Sequence, residues 1–242
     1  MRRIAVITAR GGSKRIPRKN IREFCGRPIL AYSIEAALKS GVFDTVMVST
    51  EDREIAETAA RYGAEVPFLR SSRTADDFAT TREVLREVLE EYESRGQRFD
   101  ILCCIYPTAP FVTAERLREA VRLLEENGAD SVLTVTRFGF PPQRCVVIKD
   151  GFLQFKWPEN AQVRSQDLEP YYHDAGQFYC LNVESFHEQE VLVMQKAVPL
   201  ILPEMEIQDI DTEEDWKIAE LKYRMLHEGL DESRTGDIGA EG

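Results

Sequence analysis

The sequence predicts an α/β fold in which a mostly parallel sheet is flanked by helices. Short apolar runs of strand length alternate with amphipathic stretches of helix length along the first 135 residues. Gly41 and Gly63 stand where two of these helices would end. A chain of 242 residues is long enough to bury a sizeable core. Strands joined by helical crossovers run parallel, so their carboxyl ends meet at one edge, where such sheets bind ligands.

The predicted elements follow the order of a Rossmann-like sheet. Strands are predicted at residues 4–7, 46–49, 65–68, 100–105, 131–135 and 198–202. Helices are predicted at about residues 28–39, 52–62, 81–94, 113–127 and 212–227. Thr81 is expected to cap the third helix, and Thr212 to cap the last one with Asp215 at its third position. The alternation predicts a single domain over residues 1–230.

The first predicted strand ends in a glycine turn that carries positive charge. Gly11 and Gly12 have no Cβ atoms to keep a ligand off the backbone, and they permit successive N–H groups to converge on an anion. The cations around this turn are Arg10, Lys14, Arg15, Arg18 and Lys19. A surface turn with solvated charges is the alternative. The coincidence of glycines with cations favours a phosphate-binding loop.

The turn matches neither of two common phosphate-binding motifs. A Walker A loop needs a Gly-Lys pair, and the sequence contains none. A dinucleotide fingerprint needs three spaced glycines, and here two adjacent glycines stand alone. The sequence therefore argues against a P-loop kinase and against an NAD enzyme.

The distribution of charge favours a small anionic ligand. The net charge is −11, which argues against a nucleic-acid binder. Residues 1–27 nevertheless carry nine Lys or Arg and one acid, whereas the rest of the chain carries 41 acids and 22 bases. No apolar run is long enough to span a bilayer, and the chain enters a strand directly. We therefore expect no membrane span and no secretory signal, with the cytoplasm as the default location.

A segment at residues 137–182 interrupts the alternation. It contains Pro141 and Pro142, and it predicts a hairpin with strands at residues 145–148 and 152–155. The segment is apolar enough to need cover from another surface. Residues 231–242 are polar and Gly-rich, and they are predicted to be a disordered tail. The five cysteines show no metal-ligand spacing, and Cys103 and Cys104 are expected in the core.

Two acids precede the last helix. Alternation along an extended segment places Asp209 and Asp211 on one side, about 7 Å apart. Two carboxylates placed in this way can share a hard cation such as Mg²⁺. A charged approach to the helix N-terminus explains the same residues, and the pattern alone leaves both interpretations open.

The motifs resemble those of the CMP-sugar synthetases, cytidylyltransferases that activate nine-carbon 2-keto sugar acids such as sialic acid. Residues 9–14 read Ala-Arg-Gly-Gly-Ser-Lys, and Ile16-Pro17 with Lys19-Asn20 completes the family's signature loop. The resemblance implies the nucleotide-diphospho-sugar transferase type of fold. It also implies that the segment at residues 137–182 forms a homodimer and closes the active site of the partner subunit.

The resemblance implies a role for each matching residue. Arg10, Lys14 and Lys19 would be catalytic. CTP would be bound by Ala9, Arg10, Gly11, Gly12, Ser13, Lys19, Asn20, Arg70, Ala79 and Thr81. Asp209 and Asp211 match the magnesium-binding aspartates of the family, which favours a metal site over a simple helix approach. The sugar acid would meet Tyr106, Thr108, Arg164, Gln166, His173, Asp174 and Gln177.

Two late motifs resemble the branch of the family that acts on pseudaminic acid. They are residues 164–168 and 171–179. Sialic acid synthetases carry Gln where this chain has Tyr106, whereas the pseudaminic acid branch carries the same Cys-Cys-Ile-Tyr stretch. His173 has no visible partner for general-base chemistry, so a structural or substrate hydrogen bond is favoured. No general base can be named from the sequence.

Several alternatives remain open at this point. The substrate could be legionaminic acid, sialic acid or the eight-carbon Kdo. A molybdopterin guanylyltransferase also begins with a strand and a basic glycine loop, although its loop usually opens Leu-Ala-Gly-Gly. A catalytically dead nucleotide-binding subunit would be expected to lose the loop cations or an aspartate, and this chain retains both.

Overall fold

A six-stranded mixed sheet forms the centre of the molecule. The computed structural model of the protein describes residues 1–75 and 79–227. Its strands are β1 (Arg3–Thr8), β2 (Glu23–Phe24), β3 (Arg27–Pro28), β4 (Thr45–Ser49), β5 (Ile101–Ile105), β6 (Ser131–Arg137), β7 (Val146–Lys149), β8 (Phe152–Phe155), β9 (Tyr172–Asn182) and β10 (Ala197–Ile201). Its helices are α1 (Ile29–Ser40), α2 (Arg53–Arg61), α3 (Thr81–Ser94), α4 (Ala114–Glu126), α5 (Val183–Gln189) and α6 (Glu213–His227). Within these residues no helix is long and apolar enough to cross a membrane.

The sheet confirms the mostly parallel arrangement that the sequence predicts. The strand order is β10-β6-β9-β5-β1-β4, and β2–β3 and β7–β8 form separate two-stranded ladders. β1 pairs in parallel with β4 and β5, and β10 pairs in parallel with β6. β9 runs antiparallel between β5 and β6, so the other five strands share one direction. The carboxyl ends of those five strands therefore lie at one edge.

Alternating side chains of the strands build a core on each face of the sheet. Ala5 and Ile7 of β1 pack with apolar residues of α1, α2 and α4, whereas Ile4 and Val6 pack with α3 and α5. Period-two alternation in a strand covered on both faces explains why β1 is an uninterrupted apolar run. Cys103 and Cys104 divide in the same way between the two faces, and both are fully buried, as the sequence predicts.

A third cluster lies under the loop that follows β1. Ile16 from this loop and Ile210 from the segment before α6 are both in it. Its aromatic members are Phe24, Tyr32, Phe111 and Trp216. The Phe24 ring makes edge contacts with Tyr32 and Trp216 at centroid distances of 5.5 and 5.6 Å. The cluster therefore joins the beginning of the chain to its last helix.

Two local predictions are wrong. Residues 65–68 make only one bridge, from Glu65 to Met47, instead of a third strand. Pro67 has no N–H to donate to a ladder, so pairing stops there. Thr80 rather than Thr81 caps α3: its side chain accepts a hydrogen bond from the Glu83 N–H, and the Glu83 carboxylate accepts one from the Thr80 N–H. The capping box sets the start of the helix one residue earlier.

The segment at residues 137–182 has two parts. Residues 172–182 form β9 inside the main sheet, and its α5 continuation was not predicted from the sequence. Residues 138–171 extend from the sheet and include the predicted hairpin, which is confirmed as β7 and β8. Large apolar side chains there are exposed, with Phe140 at 91% and Ile148 at 75%. The predicted tail at residues 231–242 lies outside the described residues.

The two leucines of α1 provide a matched test of the core. Leu30 is fully buried against the sheet, whereas Leu38 is 43% exposed. Leu30→Ala should lower the free energy of unfolding by about 2–5 kcal/mol because it leaves a cavity. Leu38→Ala has the same effect on helix propensity and should cost less than about 1 kcal/mol. Urea unfolding of both variants measures the difference, and equal losses would contradict this description of the core.

Candidate active site

A cavity of about 800 Å³ opens at the edge where the parallel strands end. The ends of β1 and β5 reach this cavity directly, because Thr8 at the end of β1 and Tyr106 just after β5 both line it. The residues that line the cavity are Thr8, Arg10, Ser13, Lys14, Arg15, Lys19, Asn20, Arg70, Thr74, Ala79, Thr81, Val84, Tyr106, Pro107, Thr108, Asp209 and Asp211. The walls therefore come from regions about 200 residues apart in the sequence.

The glycines of the loop do not themselves line this cavity. The Gly11 N–H donates to the Glu51 carboxylate at 2.7 Å, so this N–H binds an acid of the protein. A Cβ on Gly11 would lie 2.6 Å from Asp52 Oδ2, so a larger residue there would force Asp52 to shift. A Cβ on Gly12 would meet nothing within 4 Å. Ala9 is buried and donates its N–H to the Ser49 carbonyl. Side chains, led by Arg10 and Lys14, present positive charge to the cavity.

Arg18 holds the far end of the loop. It has a left-handed backbone with φ of 56°, and its guanidinium pairs with Asp52 at 2.5 Å and also with Glu54. Asp52 in turn caps α2 by accepting hydrogen bonds from the N–H groups of Glu54 and Ile55. The Arg18 hydrogen bond lowers the pKa of Asp52, the two N–H groups add to the effect, and burial opposes it. The loop is thereby fixed to the second helix.

Lys19 connects the loop to the segment that carries the two aspartates. Its Nζ donates to the Ile210 carbonyl at 2.6 Å and lies 3.5 Å from Asp211 Oδ1. Arg15 pairs with the same Asp211 oxygen at 2.8 Å. Asn20 is buried and donates to the Arg10 carbonyl at 2.8 Å, which fixes the loop from inside. Lys19 and Asn20 thus support the cavity as well as lining it.

Asp209 and Asp211 both line the cavity. Partial burial raises the pKa of Asp209, and the negative charge of Asp211 raises it further. A carboxylate pair in this state suits a divalent cation, since Mg²⁺ is commonly held by one or two carboxylates together with phosphates and water. No cluster of three or more His, Cys, Asp or Glu exists among residues 1–75 and 79–227. Two carboxylates leave the other positions of such a cation to phosphate or water oxygens.

Arg70 also lines the cavity, and its guanidinium is held by hydrogen bonds. Only 9% of it is exposed, and it donates to the Ser49 hydroxyl at 3.1 Å and to the Ser49 carbonyl at 2.7 Å. Burial lowers the pKa of Arg70, and the charges of Glu51 and Glu87 oppose the shift. Ala79 and Thr81 line the same cavity. The predicted nucleotide contacts beyond the glycine loop are thus brought together.

Only part of the predicted sugar-binding set reaches this cavity. Tyr106 and Thr108 line it, and Tyr106 is fixed by a backbone bond from its N–H to the Gln177 carbonyl. Gln177 is buried, and its side chain donates to the Glu206 carbonyl at 2.5 Å. Asp174 accepts hydrogen bonds from the Tyr179 hydroxyl and the Gly176 N–H. None of the cavity-lining residues comes from the segment between β6 and β9.

The remaining candidates lie on that segment or at its end. Arg164 is exposed and lies 3.7 Å from Asp167. Gln166 lines a second cavity of about 510 Å³ together with Phe138 and other residues of the segment. His173 Nδ1 is 2.9 Å from the Asp174 carbonyl, and its ring lies against Phe138. Within one chain these side chains are separate from the main cavity.

Comparison with known proteins identifies the family. The family described as "Cytidylyltransferase" matches residues 4–211. The chain belongs to the cytidylyltransferase family. A pseudaminic acid cytidylyltransferase of Campylobacter jejuni is 38% identical over 94% of this chain and 99% of its own. A CMP-N,N'-diacetyllegionaminic acid synthase of Legionella pneumophila is 35% identical over 95% of this chain and 100% of its own.

Solved structures agree on the fold of this cytidylyltransferase. A CMP:2-keto-3-deoxy-manno-octonic acid synthetase, solved in complex with CTP, superimposes with a TM-score of 0.65 at 16% identity. It covers 94% of this chain and 100% of its own. A 4-diphosphocytidyl-2C-methyl-D-erythritol synthase of Anaerococcus prevotii gives 0.62 at 15% identity, over 92% of this chain and 98% of its own. The likeness confirms the predicted nucleotide-sugar transferase fold.

Sequence reasoning missed several residues of the cytidylyltransferase cavity. Arg15 was counted among the loop cations without a role, and Pro107 lies within a motif whose other residues were assigned. Glu51 does not line the cavity, but it follows β4 at the same edge and accepts a hydrogen bond from the Gly11 N–H. Thr74 and Val84 reach the wall through the packing of α3 and the loop before it. No local pattern in the sequence identifies these two.

The ion pair at Asp52 predicts a pH-dependent contribution to the stability of the cytidylyltransferase. Asp52→Asn keeps a good helix cap but removes the charge, and should lower the free energy of unfolding at pH 7 by about 1 kcal/mol. Because the folded pKa lies below the unfolded value near 3.9, this contribution is complete above that value. It should decrease as the pH falls through the folded pKa.

Urea unfolding between pH 7 and pH 3 measures this difference. Asp150→Asn, at an exposed turn of the hairpin, is the control and should stay within about 0.5 kcal/mol of the natural protein. A deficit of Asp52→Asn that persists unchanged at pH 3 would show that the ion pair is not its cause.

Proposed function

We propose that this cytidylyltransferase transfers CMP from CTP to pseudaminic acid and releases pyrophosphate. One observation carries the proposal: the loop cations Arg10, Lys14 and Arg15 line the same cavity as Asp209 and Asp211. Such a cavity can neutralise a triphosphate from one side and offer carboxylates from another. The 38% identity to pseudaminic acid cytidylyltransferases over nearly the whole chain supports the choice of sugar.

The proposed binding of CTP follows the walls of the cavity. Arg10, Ser13 and Lys14 would bind the triphosphate, with the side chains rather than the Gly11 N–H providing the contacts. Arg70 and Asn20 would contact the base and the ribose. The guanidinium of Arg70 is already fixed by Ser49, so little conformational entropy is lost when it meets a ligand. Ala79 and Thr81 would border the same part of the nucleotide.

The reaction that fits this site is an in-line displacement at phosphorus. The anomeric hydroxyl of the sugar acid attacks the α-phosphorus of CTP, and the bond to the bridging oxygen of pyrophosphate breaks. The proton of the hydroxyl passes to solvent water, and negative charge accumulates on the departing pyrophosphate. Arg10, Lys14 and Lys19 would act by neutralising that charge in a preorganised site.

Asp209 and Asp211 would hold Mg²⁺ in this proposal. Both line the cavity, and the raised pKa of Asp209 fits a site that a cation completes. When bound, the ion would neutralise phosphate charge and lower the pKa of a coordinated hydroxyl. Arg15 and Lys19 contact Asp211 and so orient its carboxylate toward that role.

Pyrophosphate release is the direct test of the proposal. Purified protein is incubated with CTP and Mg²⁺, with pseudaminic, legionaminic and sialic acids in parallel and with GTP replacing CTP as a control. We expect release with CTP and pseudaminic acid, and loss of it when the metal is chelated. Preference for legionaminic or sialic acid would support the proposed reaction but contradict the choice of pseudaminic acid as the substrate. Pyrophosphate release with GTP would contradict the choice of CTP as the nucleotide. The absence of release in every arm would favour a nucleotide-binding subunit without catalytic activity.

Arg10→Ala should lower kcat by about 10²–10³-fold, because a cation aimed at developing phosphate charge is lost. Arg98→Ala is the matched control: Arg98 is an exposed arginine that pairs with Glu93 away from this cavity. The same pyrophosphate assay gives both values. Near-normal turnover of Arg10→Ala would show that Arg10 does not contribute to the mechanism.

We also propose that the chain forms a homodimer through residues 138–171. The register of the hairpin places Ile148 opposite Leu153 and Val146 opposite Phe155, so the four apolar side chains share one face. All four are exposed, with Leu153 at 70%. A contiguous apolar face of this kind needs cover. A partner segment in this position would also bring Arg164, Gln166 and His173 toward a sugar acid that one chain does not reach with them.

Light scattering on a sizing column tests the dimer. The natural protein should elute as a dimer, and Ile148→Asp combined with Leu153→Asp should elute as a monomer with reduced pyrophosphate release. Gln154→Asp places the same charge on the opposite face of the hairpin and should remain dimeric. A natural protein that is monomeric at assay concentration would contradict the proposal.

The expected location of the protein is the cytoplasm.

A further inference from the structure

A buried carboxylate on α3 lies next to the wall of the main cavity. Glu87 has only 7% of its surface exposed. It follows Val84 by three positions, so both side chains lie on the same side of the helix. Val84 lines the cavity, whereas Glu87 does not. A carboxylate removed from water costs free energy unless hydrogen bonds or an opposite charge compensate for the lost solvation.

Three hydrogen bonds from one loop compensate this carboxylate. Glu87 Oε1 accepts from the Ser71 N–H at 2.7 Å, and Oε2 accepts from the Ser71 hydroxyl at 3.1 Å and from the Thr74 hydroxyl. Burial raises the pKa of Glu87, but these bonds outweigh burial and leave the pKa below its usual value. Glu87 is therefore ionised at neutral pH, and an ionised carboxylate can accept from all three donors.

Apolar packing does not hold the loop at residues 70–74. Residues 71–73 are exposed, and the described residues of the loop belong to none of the three apolar clusters. Polar bonds fix the loop instead. At its start the Arg70 guanidinium donates to Ser49, and further along Glu87 fastens the turn. The loop is thus held between the end of β4 and α3.

Two residues of this loop form part of the cavity wall. Arg70 and Thr74 both line the cavity, and both are buried. In the proposed function Arg70 contacts the nucleotide. Glu87 also supplies negative charge near Arg70, which opposes the lowering of the Arg70 pKa by burial. A residue outside the cavity therefore acts on the wall through hydrogen bonds and through charge.

We propose that Glu87 is a positioning residue that holds the loop at residues 70–74 in the shape in which the cavity binds CTP. Because it concerns how CTP is held, this role rests on the proposed function. Without Glu87 the ligand itself has to order the loop, and that cost weakens the binding of CTP. Turnover of bound CTP changes little, because in the proposed function Arg70 contacts the base or the ribose rather than the reacting phosphate.

Calorimetry of CTP binding to the purified protein, without a sugar acid, tests this role. Glu87→Ala should weaken the binding of CTP about ten- to a hundredfold, the effect of one hydrogen bond to a charged group. Glu87→Gln keeps one acceptor oxygen and should weaken it only about two- to fivefold. Glu90→Gln is the matched control, because Glu90 is exposed on the same helix and pairs with Arg73 of the same loop. Its affinity for CTP should stay within about twofold of the natural protein.

Steady-state kinetics separate positioning from a general loss of structure. Glu87→Ala should raise KM for CTP, with kcat and KM for the sugar acid within about threefold. Thr74→Val should also raise KM for CTP, and adding it to Glu87→Ala should cost little more, since both changes remove the same bond. A general loss of structure would raise both KM values and lower the midpoint of thermal unfolding. Natural CTP affinity in Glu87→Ala, or fully additive effects in the double variant, would overturn the role of Glu87 and leave the proposed function intact.

Hydrogen–deuterium exchange of the loop is independent of turnover and of CTP. Amides in peptides that cover residues 70–74 should exchange about tenfold faster in Glu87→Ala and at the natural rate in Glu90→Gln. Glu87→Gln replaces Glu87→Ala in every measurement if the alanine variant does not fold. If the natural protein binds no CTP, the proposed function fails, and exchange alone decides whether Glu87 holds the loop. Unchanged exchange in the Glu87 variant then overturns its role.

Discussion

The contact between Lys19 and the Ile210–Asp211 segment is the constraint on which the site depends. It joins residues 191 positions apart, with Nζ donating to the Ile210 carbonyl at 2.6 Å. Without it the loop cations would repel one another, and Asp209 and Asp211 would do the same. Arg15 and Lys19 are instead held beside the opposite charge of Asp211. The third core cluster holds this arrangement in place, because Ile16 and Ile210 pack in it together. These two residues are the sequence neighbours of Arg15 and Asp211.

The single antiparallel strand has a comparable role on the other side of the cavity. β9 runs antiparallel to its neighbours β5 and β6. The residues that precede β9 therefore lie at the edge where the five parallel strands end. The irregularity at Gly176 then carries Asp174 back over Tyr179. Loops that follow parallel strands line the cavity, whereas the exposed segment at residues 138–171 leads into the antiparallel strand. In our proposal the sheet therefore separates the residues that bind phosphate from the segment that would form the dimer.

Features that depend on neighbouring residues could be predicted from the sequence, and features that depend on distant ones could not. The apolar run of β1 and the capping of α6 by Thr212 and Asp215 are local, and both are confirmed. The apolar alternation at residues 65–68 resembled a strand, but Pro67 ends the pairing after one bridge. The contacts of Gly11 with Glu51 and of Tyr179 with Asp174 have no local signature. They arise from strand order and from a bulge, which only tertiary pairing determines.

The two adjacent glycines of the loop after β1 have different roles in the structure. The sequence suggests that both permit close approach of a phosphate. A Cβ on Gly12 would meet nothing within 4 Å, so no packing contact requires glycine there, and the approach of a phosphate stays a prediction. A Cβ on Gly11 would force a shift of Asp52, the residue that caps α2 and pairs with Arg18. The first glycine sets the position of the loop against α2, and the second leaves its surface open. In the proposed function, phosphate is bound by the side chains that this packed loop carries, so the surrounding arginines and lysines are as much a part of the motif as the glycines.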